Sequence, residues 1–200
     1  FGEASYINNN AEFSGVVKIY KKSTISSSYT QIGSNIYGVL SNDYFGISVS
    51  LNDDGTRVAI GDKSNSINGV LSDVRVYENI NNVWIQIGNI NEGNIRGSSI
   101  GNSVSLSSDG SIMAIGTSNG DGNGFRSGGV KIYKNTNGAW SQIGNEITGD
   151  NTTDYTGIAI SLNSDGSIIT IGATGVDEGN GVSSGSVKVY KFTNDSSISK

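Results

Sequence analysis

The feature that most constrains this chain is a short segment that returns at a fixed step. Gly15-Val16-Val17-Lys18-Ile19-Tyr20, Asp73-Val74-Arg75-Val76-Tyr77, Gly129-Val130-Lys131-Ile132-Tyr133 and Ser186-Val187-Lys188-Val189-Tyr190 place their tyrosines 57, 56 and 57 residues apart. Two further series keep the same beat. Tyr29-Thr30-Gln31-Ile32-Gly33, Trp84-Ile85-Gln86-Ile87-Gly88 and Trp140-Ser141-Gln142-Ile143-Gly144 form one, and Asp54-Gly55, Asp109-Gly110 and Asp165-Gly166 form the other. Self-similarity at this period is the signature of a repeat architecture, in which one supersecondary unit cannot bury its own faces and must stack on its neighbours.

Each unit reads as four strands. In the third, Ser103 to Ser107 alternates small polar residues with Val104 and Leu106, and Asp109-Gly110 predicts a tight hairpin with positive φ angles. Ile112 to Ile115 returns as an almost wholly apolar strand, the pattern of a strand covered on both faces. Val130 to Tyr133 alternates again, and Asn135-Thr136-Asn137-Gly138 turns the chain into an outer strand, Trp140 to Ile143. Four-stranded antiparallel sheets stacked radially give an all-β fold, a β-propeller with blades of about 56 residues. The chain then divides into a partial blade at 1–45, blades at 46–100 and 101–156, and a partial blade at 157–200, about three and a half in all. Phe1-Gly2 aligns with the Ile-Gly pairs that end second strands, and the sequence closes just after a third strand, Val187 to Phe192. Closed propellers have about four to eight blades, so the expectation is that further blades of a longer protein, or other copies, complete the ring.

The order of these strands, with Phe45-Gly46 followed by Ser48-Val49-Ser50-Leu51 and Ala59-Ile60-Gly61, resembles the FG-GAP repeat of integrin-α-like propellers, and the likeness extends over the whole chain. Closely similar repeats occur in large surface proteins of marine bacteria and their viruses. The resemblance implies a surface-exposed adhesion or interaction scaffold. In that family the first hairpin commonly expands into an acidic calcium loop, whereas here it is minimal, Asn52-Asp53-Asp54-Gly55 and Ser107-Ser108-Asp109-Gly110. The family's calcium site therefore does not carry over to these positions.

Composition narrows the function. The chain has no histidine and no cysteine, which removes disulfides, thiolate or imidazole metal sites, cysteine nucleophiles and histidine general bases. Without histidine, none of the many serines stands out as an activated nucleophile, so the chain is expected not to be an enzyme. A net charge of -5 argues against nucleic acid as a partner, and no apolar run approaches the roughly 20 residues of a membrane-spanning helix, so no membrane insertion is expected.

Candidate ligand-binding residues come from the connections. Asn119-Gly120-Asp121-Gly122-Asn123-Gly124 approximates the spacing that wraps oxygen ligands around calcium, which makes Asn119, Asp121 and Asn123 the metal candidates. A solvated Gly/Asn turn is the competing reading, because the first position is neutral and Val130 stands where a bidentate glutamate belongs. No other cofactor is implied. Asp43 and Asp154, each followed by a tyrosine, and Asp177 and Glu178 are the remaining candidates, with turn capping as the alternative for the aspartates. Tyr29, Trp84 and Trp140 share one repeat position, which favours blade packing over sugar stacking.

The connections at 61–72, 117–128 and 173–185, and those at 34–45, 89–100 and 145–156, are long and polar, and in an up-and-down blade they share one face. The resulting expectation is an extracellular or surface module whose long-loop face meets a protein or glycan. The alternative is a structural subunit of a surface filament or virion appendage, joined to other copies through its terminal blades.

Overall fold

The computed structural model describes residues 2–3, 14–24, 26–42, 44–62, 72–90, 100–177, 182–192 and 198–199. Every regular element among them is a β-strand. The first sheets combine β1 (Gly2–Glu3), β2 (Val16–Val17), β3 (Tyr20–Lys22), β4 (Tyr29–Gln31) and β5 (Ile36–Tyr37), with β1 and β5 flanking β2 and β4 pairing with β3. Three blades follow. β6 (Ser48–Leu51), β7 (Arg57–Gly61), β8 (Val74–Ile80) and β9 (Val83–Ile90) form one antiparallel sheet in chain order. The next is β10 (Ser103–Leu106), β11 (Ile112–Gly116), β12 (Gly129–Thr136) and β13 (Ala139–Gln142), with β14 (Ile147–Thr148) also paired to β12. The last is β15 (Ala159–Leu162), β16 (Ile168–Ala173), β17 (Ser186–Phe192) and β18 (Ile198–Ser199).

One register runs through all of them: Gly2 lies opposite Val17, Gly61 opposite Val74, Gly116 opposite Val130 and Gly172 opposite Val187. Because side chains alternate across a strand, this puts Val74 and Val76 on the face of their sheet that meets the next blade. There they join Val104, Leu106, Met113 and Ile115 in one buried cluster. Val17 and Ile19 likewise meet Val58 and Ile60, and Val130 and Ile132 meet Ile169 and Ile171. Burying each such side chain contributes about 1.5–3 kcal/mol, so the core of this molecule is a series of interfaces between blades.

Polar contacts repeat with the same step. Ser48 Oγ donates to Gly101 O at 2.6 Å and Ser103 Oγ to Gly157 O at 2.7 Å. Leu106 N donates to Ser50 Oγ at 3.0 Å and Leu162 N to Ser105 Oγ at 2.9 Å. The tryptophans bear out the packing reading: Trp84 Nε1 donates to Ile32 O at 2.9 Å, and a Cβ on Gly33 or Gly88 would strike the ring of Trp84 or Trp140.

Three details differ from the sequence expectation. The chain does not stop pairing at Phe192, since β18 adds a short fourth strand opposite Lys191 and Phe192. The outer strand continues beyond the Ile-Gly pair: β9 passes a bulge between Val76 and Tyr77 of its partner, and β14 resumes pairing with β12, so the following loops are shorter than 89–100 and 145–156. In the first hairpins only the glycines Gly55, Gly110 and Gly166 have positive φ. The aspartate instead caps the turn, with Asp54 Oδ1 accepting from Thr56 N and Asp165 Oδ1 from Ser167 N, both at 2.8 Å. Paired positive φ angles occur at Asn81-Asn82 and Asn137-Gly138, in the turns before the outer strands.

Candidate functional site

The long connections of the third blade fold against each other. Gly128 N donates to Gly120 O, which closes the 117–128 loop, and Gly128 bridges in parallel to Thr156. Thr153 N then donates to Phe125 O and Tyr155 N to Arg126 O, so the loop leading into β15 lies along the loop leading into β12. A third connection joins them, because Gly175 N donates to Asp154 O and a Cβ on Gly175 would strike Thr153 O. Three loops from two blades thus form one braced surface.

That surface carries a compact group of the residue types enriched where binding energy is concentrated. The Phe125 ring is 61% exposed, the Arg126 guanidinium carbon stands 5.0 Å over its centroid, and Arg126 Nη1 lies 3.5 Å from the Tyr155 hydroxyl. Arg126, Thr153 and Tyr155 have φ angles of 54°, 64° and 54°. The same left-handed angles recur at the matching positions Asn42, Tyr44 and Ser183, so they belong to the loop geometry of the repeat. Tyr155 entered the sequence reading only as the neighbour of Asp154; Phe125 and Arg126 did not enter it at all. The available signal was an aromatic-cation pair in a loop otherwise built of Gly, Asn, Asp, Ser and Thr.

The residues singled out from sequence take other parts in this assembly. Asp121 Oδ1 accepts from Arg126 N at 2.7 Å, and Asn123 Nδ2 donates to Gly149 O at 3.0 Å and to Asp150 O at 2.9 Å. The nitrogen of Asn123 is thus turned to the neighbouring loop, while Asn119 stands in the turn just before. Among the described residues no group of three acidic side chains converges on a point, and Asp121 is the one carboxylate among the three metal candidates. Asp154 is buried, with Oδ2 accepting from Asn151 N, and Asp177 Oδ1 accepts from Ser183 N. These aspartates shape the loops that display Phe125, Arg126 and Tyr155. Asp43 and Glu178 lie outside the described residues.

A second polar centre lies in the preceding blade, at the inner ends of the 61–72 connection. Asp62, Asp73 and Arg75 are all buried. Asp62 Oδ1 accepts from Asp73 N at 2.8 Å, Arg75 Nη2 stands 3.3 Å from Asp62 Oδ2, and Arg75 Nε lies 3.1 Å from Asp73 Oδ1. The guanidinium also covers the Phe45 ring at 5.0 Å. Burial, reinforced by the hydrogen-bonded Asp73 carboxyl, pushes the Asp62 carboxyl up to about 9. The repeat register shows that the second carboxyl is local to this blade, since the matching positions hold Glu3, Val16 and Lys18 in the first partial blade, Thr117, Gly129 and Lys131 in the next blade and Ala173, Ser186 and Lys188 in the last.

No protein-family model matches the chain. No curated protein matches it either. Solved structures do. A protein assigned as a 6-phosphogluconolactonase from Bacteroides uniformis superposes with a TM-score of 0.55 at 12% identity, over 96% of this chain and 54% of that one. The periplasmic gluconolactonase of Pseudomonas aeruginosa superposes with a TM-score of 0.53 at 12% identity, over 95% of this chain and 49% of that one.

The chain has the β-propeller fold.

It spans about half the length of these two propellers. They correct one expectation, namely that the chain is not an enzyme. Both proteins are described as lactonases, so this blade architecture carries catalysis. Lack of histidine and cysteine removes particular nucleophiles and bases, but it leaves carboxyl, phenol and guanidinium groups, and the fold itself excludes no chemistry.

Proposed function

We propose that this chain is part of a surface or extracellular recognition propeller of the FG-GAP, integrin-α-like kind, and that its long-loop face binds a protein or glycan. The observation that carries this reading is the Phe125–Arg126–Tyr155 group, in which Phe125 and Arg126 are exposed and Tyr155 is half-buried, held on three mutually braced loops. An aromatic ring and a guanidinium already ordered in the free protein lose little conformational entropy on binding, which favours affinity. Phe45-Gly46 supports the family reading: Phe45 is fully buried beneath the loop, and Gly46, at φ 91°, lies where a Cβ would press on Val17. The periplasmic placement of the Pseudomonas propeller is consistent with a location outside the cytoplasm.

The test is an array of glycans and purified surface proteins probed with the chain and with the double variant Phe125→Ala, Arg126→Ala. Binding by the parent, and its loss in a variant of unchanged melting temperature, is the expected result. Equal binding by both proteins removes this face from consideration.

The second reading, a structural subunit joined through terminal blades, is favoured by the flank of the last blade. Val187 and Val189 are 70% and 54% exposed, where their counterparts Val74, Val76, Val130 and Ile132 are at most 2% exposed. Sedimentation velocity over a hundredfold concentration range checks it, with association expected to vanish in Val189→Asp. A parent chain that stays monomeric throughout rules out self-assembly through this flank.

A further inference from the structure

At the opposite flank, an apolar groove of about 130 Å³ lies between the first partial blade and β6, lined by Val17, Ile19, Tyr29, Val49, Leu51 and Val58 among others. Val49 and Leu51 are 41% and 47% exposed. The repeat supplies the comparison. Val104 and Leu106, at the same positions one blade later, are 8% and 7% exposed, and they share a cluster with Ala59 of β7. Ile160 and Leu162, one blade later again, pack in a cluster with Ala114 of β11.

In both filled cases the covering element is the first hairpin of the preceding blade, β6–β7 or β10–β11. Each does two things. Its second strand lays a small residue, Ala59 or Ala114, within the cluster of the following blade. Its first strand offers a serine hydroxyl to the following leucine amide, Ser50 to Leu106 and Ser105 to Leu162. The groove is the same place one step earlier, with Leu51 as the matching leucine. β1 already holds the end of the second-strand lane, because Gly2 opposite Val17 repeats the register of Gly61, the last residue of β7, opposite Val74.

We propose that this groove binds an antiparallel β-hairpin of the same repeat type, carried by a further repeat unit. Its second strand reads apolar-small-apolar, as Met113-Ala114-Ile115 does, and runs in line with β1 over Val49 and Leu51. Its first strand carries a serine whose hydroxyl accepts from Leu51 N. The argument is continuity with an interface that the molecule forms twice, and the apolar lining selects an uncharged strand face.

Two measurements test it. A synthetic peptide of residues 103–116 is titrated into the methyl-labelled 200-residue chain, with saturable shifts expected at Val49, Leu51 and Val58 and affinity reduced at least tenfold, on the order of 1.4 kcal/mol, in Leu51→Asp. Since an isolated hairpin is only marginally stable, residues 103–114 are also placed directly before Phe1. That extended chain is expected to melt about 4 °C or more above the parent, on the scale of 1–2 kcal/mol in a domain of this size, and Leu51→Asp is expected to cancel the gain. Peptide shifts confined to the Val187–Val189 flank overturn the proposal, as does an extended chain that melts with the parent while the peptide leaves Val49 and Leu51 unmoved.

Discussion

Single residues in this protein are best understood against their counterparts one repeat away. Asp62 is matched by Glu3 in the first partial blade, and by a threonine and an alanine in the following blades. Its folded pKa, pushed up to about 9 by burial and by Asp73, means that the folded chain retains a proton that the unfolded chain releases from pH 4 upward. Stability contributed by this group is therefore full below the unfolded value and falls as pH rises towards 9, with a slope of at most about 1.4 kcal/mol per pH unit for one proton. Asp62→Asn removes the titration while keeping the size of the side chain. The expected outcome is a melting temperature that changes less between pH 5 and pH 9 than the parent's, read by circular dichroism; equal slopes would show that Asp62 does not hold the proton. The turn aspartates act in the opposite sense. Asp54 and Asp165 are held below the ordinary carboxylate range, chiefly by the side chains and then the amides of Thr56 and Ser167. Their contribution is present above the unfolded pKa and is lost as pH falls through the folded one.

At the level of elements, the glycine that closes the Ile-Gly pair of each second strand shows how closely the blades approach. A Cβ on Gly61 would lie 2.1 Å from Gly101 O, and one on Gly116 2.1 Å from Gly157 O, whereas one on Gly172 would have no atom nearer than 3.6 Å. Gly116→Ala is accordingly expected to destabilise by about 1–3 kcal/mol, the usual cost of overpacking, and Gly172→Ala to be tolerated. Denaturant melts of the two variants check this, and an equal loss in both would mean that backbone conformation, not the next blade, demands glycine there. Much of this level is legible in the sequence. The Asp-Gly turns and apolar second strands mark the last three blades, and a Val-x-Val or Val-x-Ile third strand marks all four units, because alternation and turn chemistry are local properties. What escapes is whatever one blade does to another. The bulge in β8–β9 and the resumption of pairing at β14 depend on how an outer strand meets its partner, and no residue at Gly144 or Ile147 announces them. The loop face escapes for the same reason. Asp121 and Asn123 have the composition of a metal loop, and one polar atom of each is used within the fold, Asp121 Oδ1 by Arg126 N and Asn123 Nδ2 by the carbonyls of residues 149 and 150. For Asn123 the neighbour that claims the atom is set by the docking of two loops, at partners 26 and 27 residues away.

For the molecule as a whole, stability lies between blades, and the same side chain is core or surface according to whether a blade follows it. The 57-residue step from Ile132 to Val189 changes neither strand type nor register, yet it takes a β-branched side chain from 2% to 54% exposure. An aspartate at Ile132 would bury a charge between two sheets without a partner, which is costly unless that charge is paired, while at Val189 it would face solvent. Ile132→Asp is therefore expected to abolish cooperative unfolding and Val189→Asp to leave the melting temperature within about 2 °C of the parent, a shift below 1 kcal/mol for a domain this size. If Val189→Asp unfolds the chain as Ile132→Asp does, the last blade is covered in solution, and its cover must be another molecule, because these side chains are exposed in the single chain. Dilution separates the two cases: a flank open to water gives a melting temperature independent of protein concentration, and a flank closed by association gives one that rises with it.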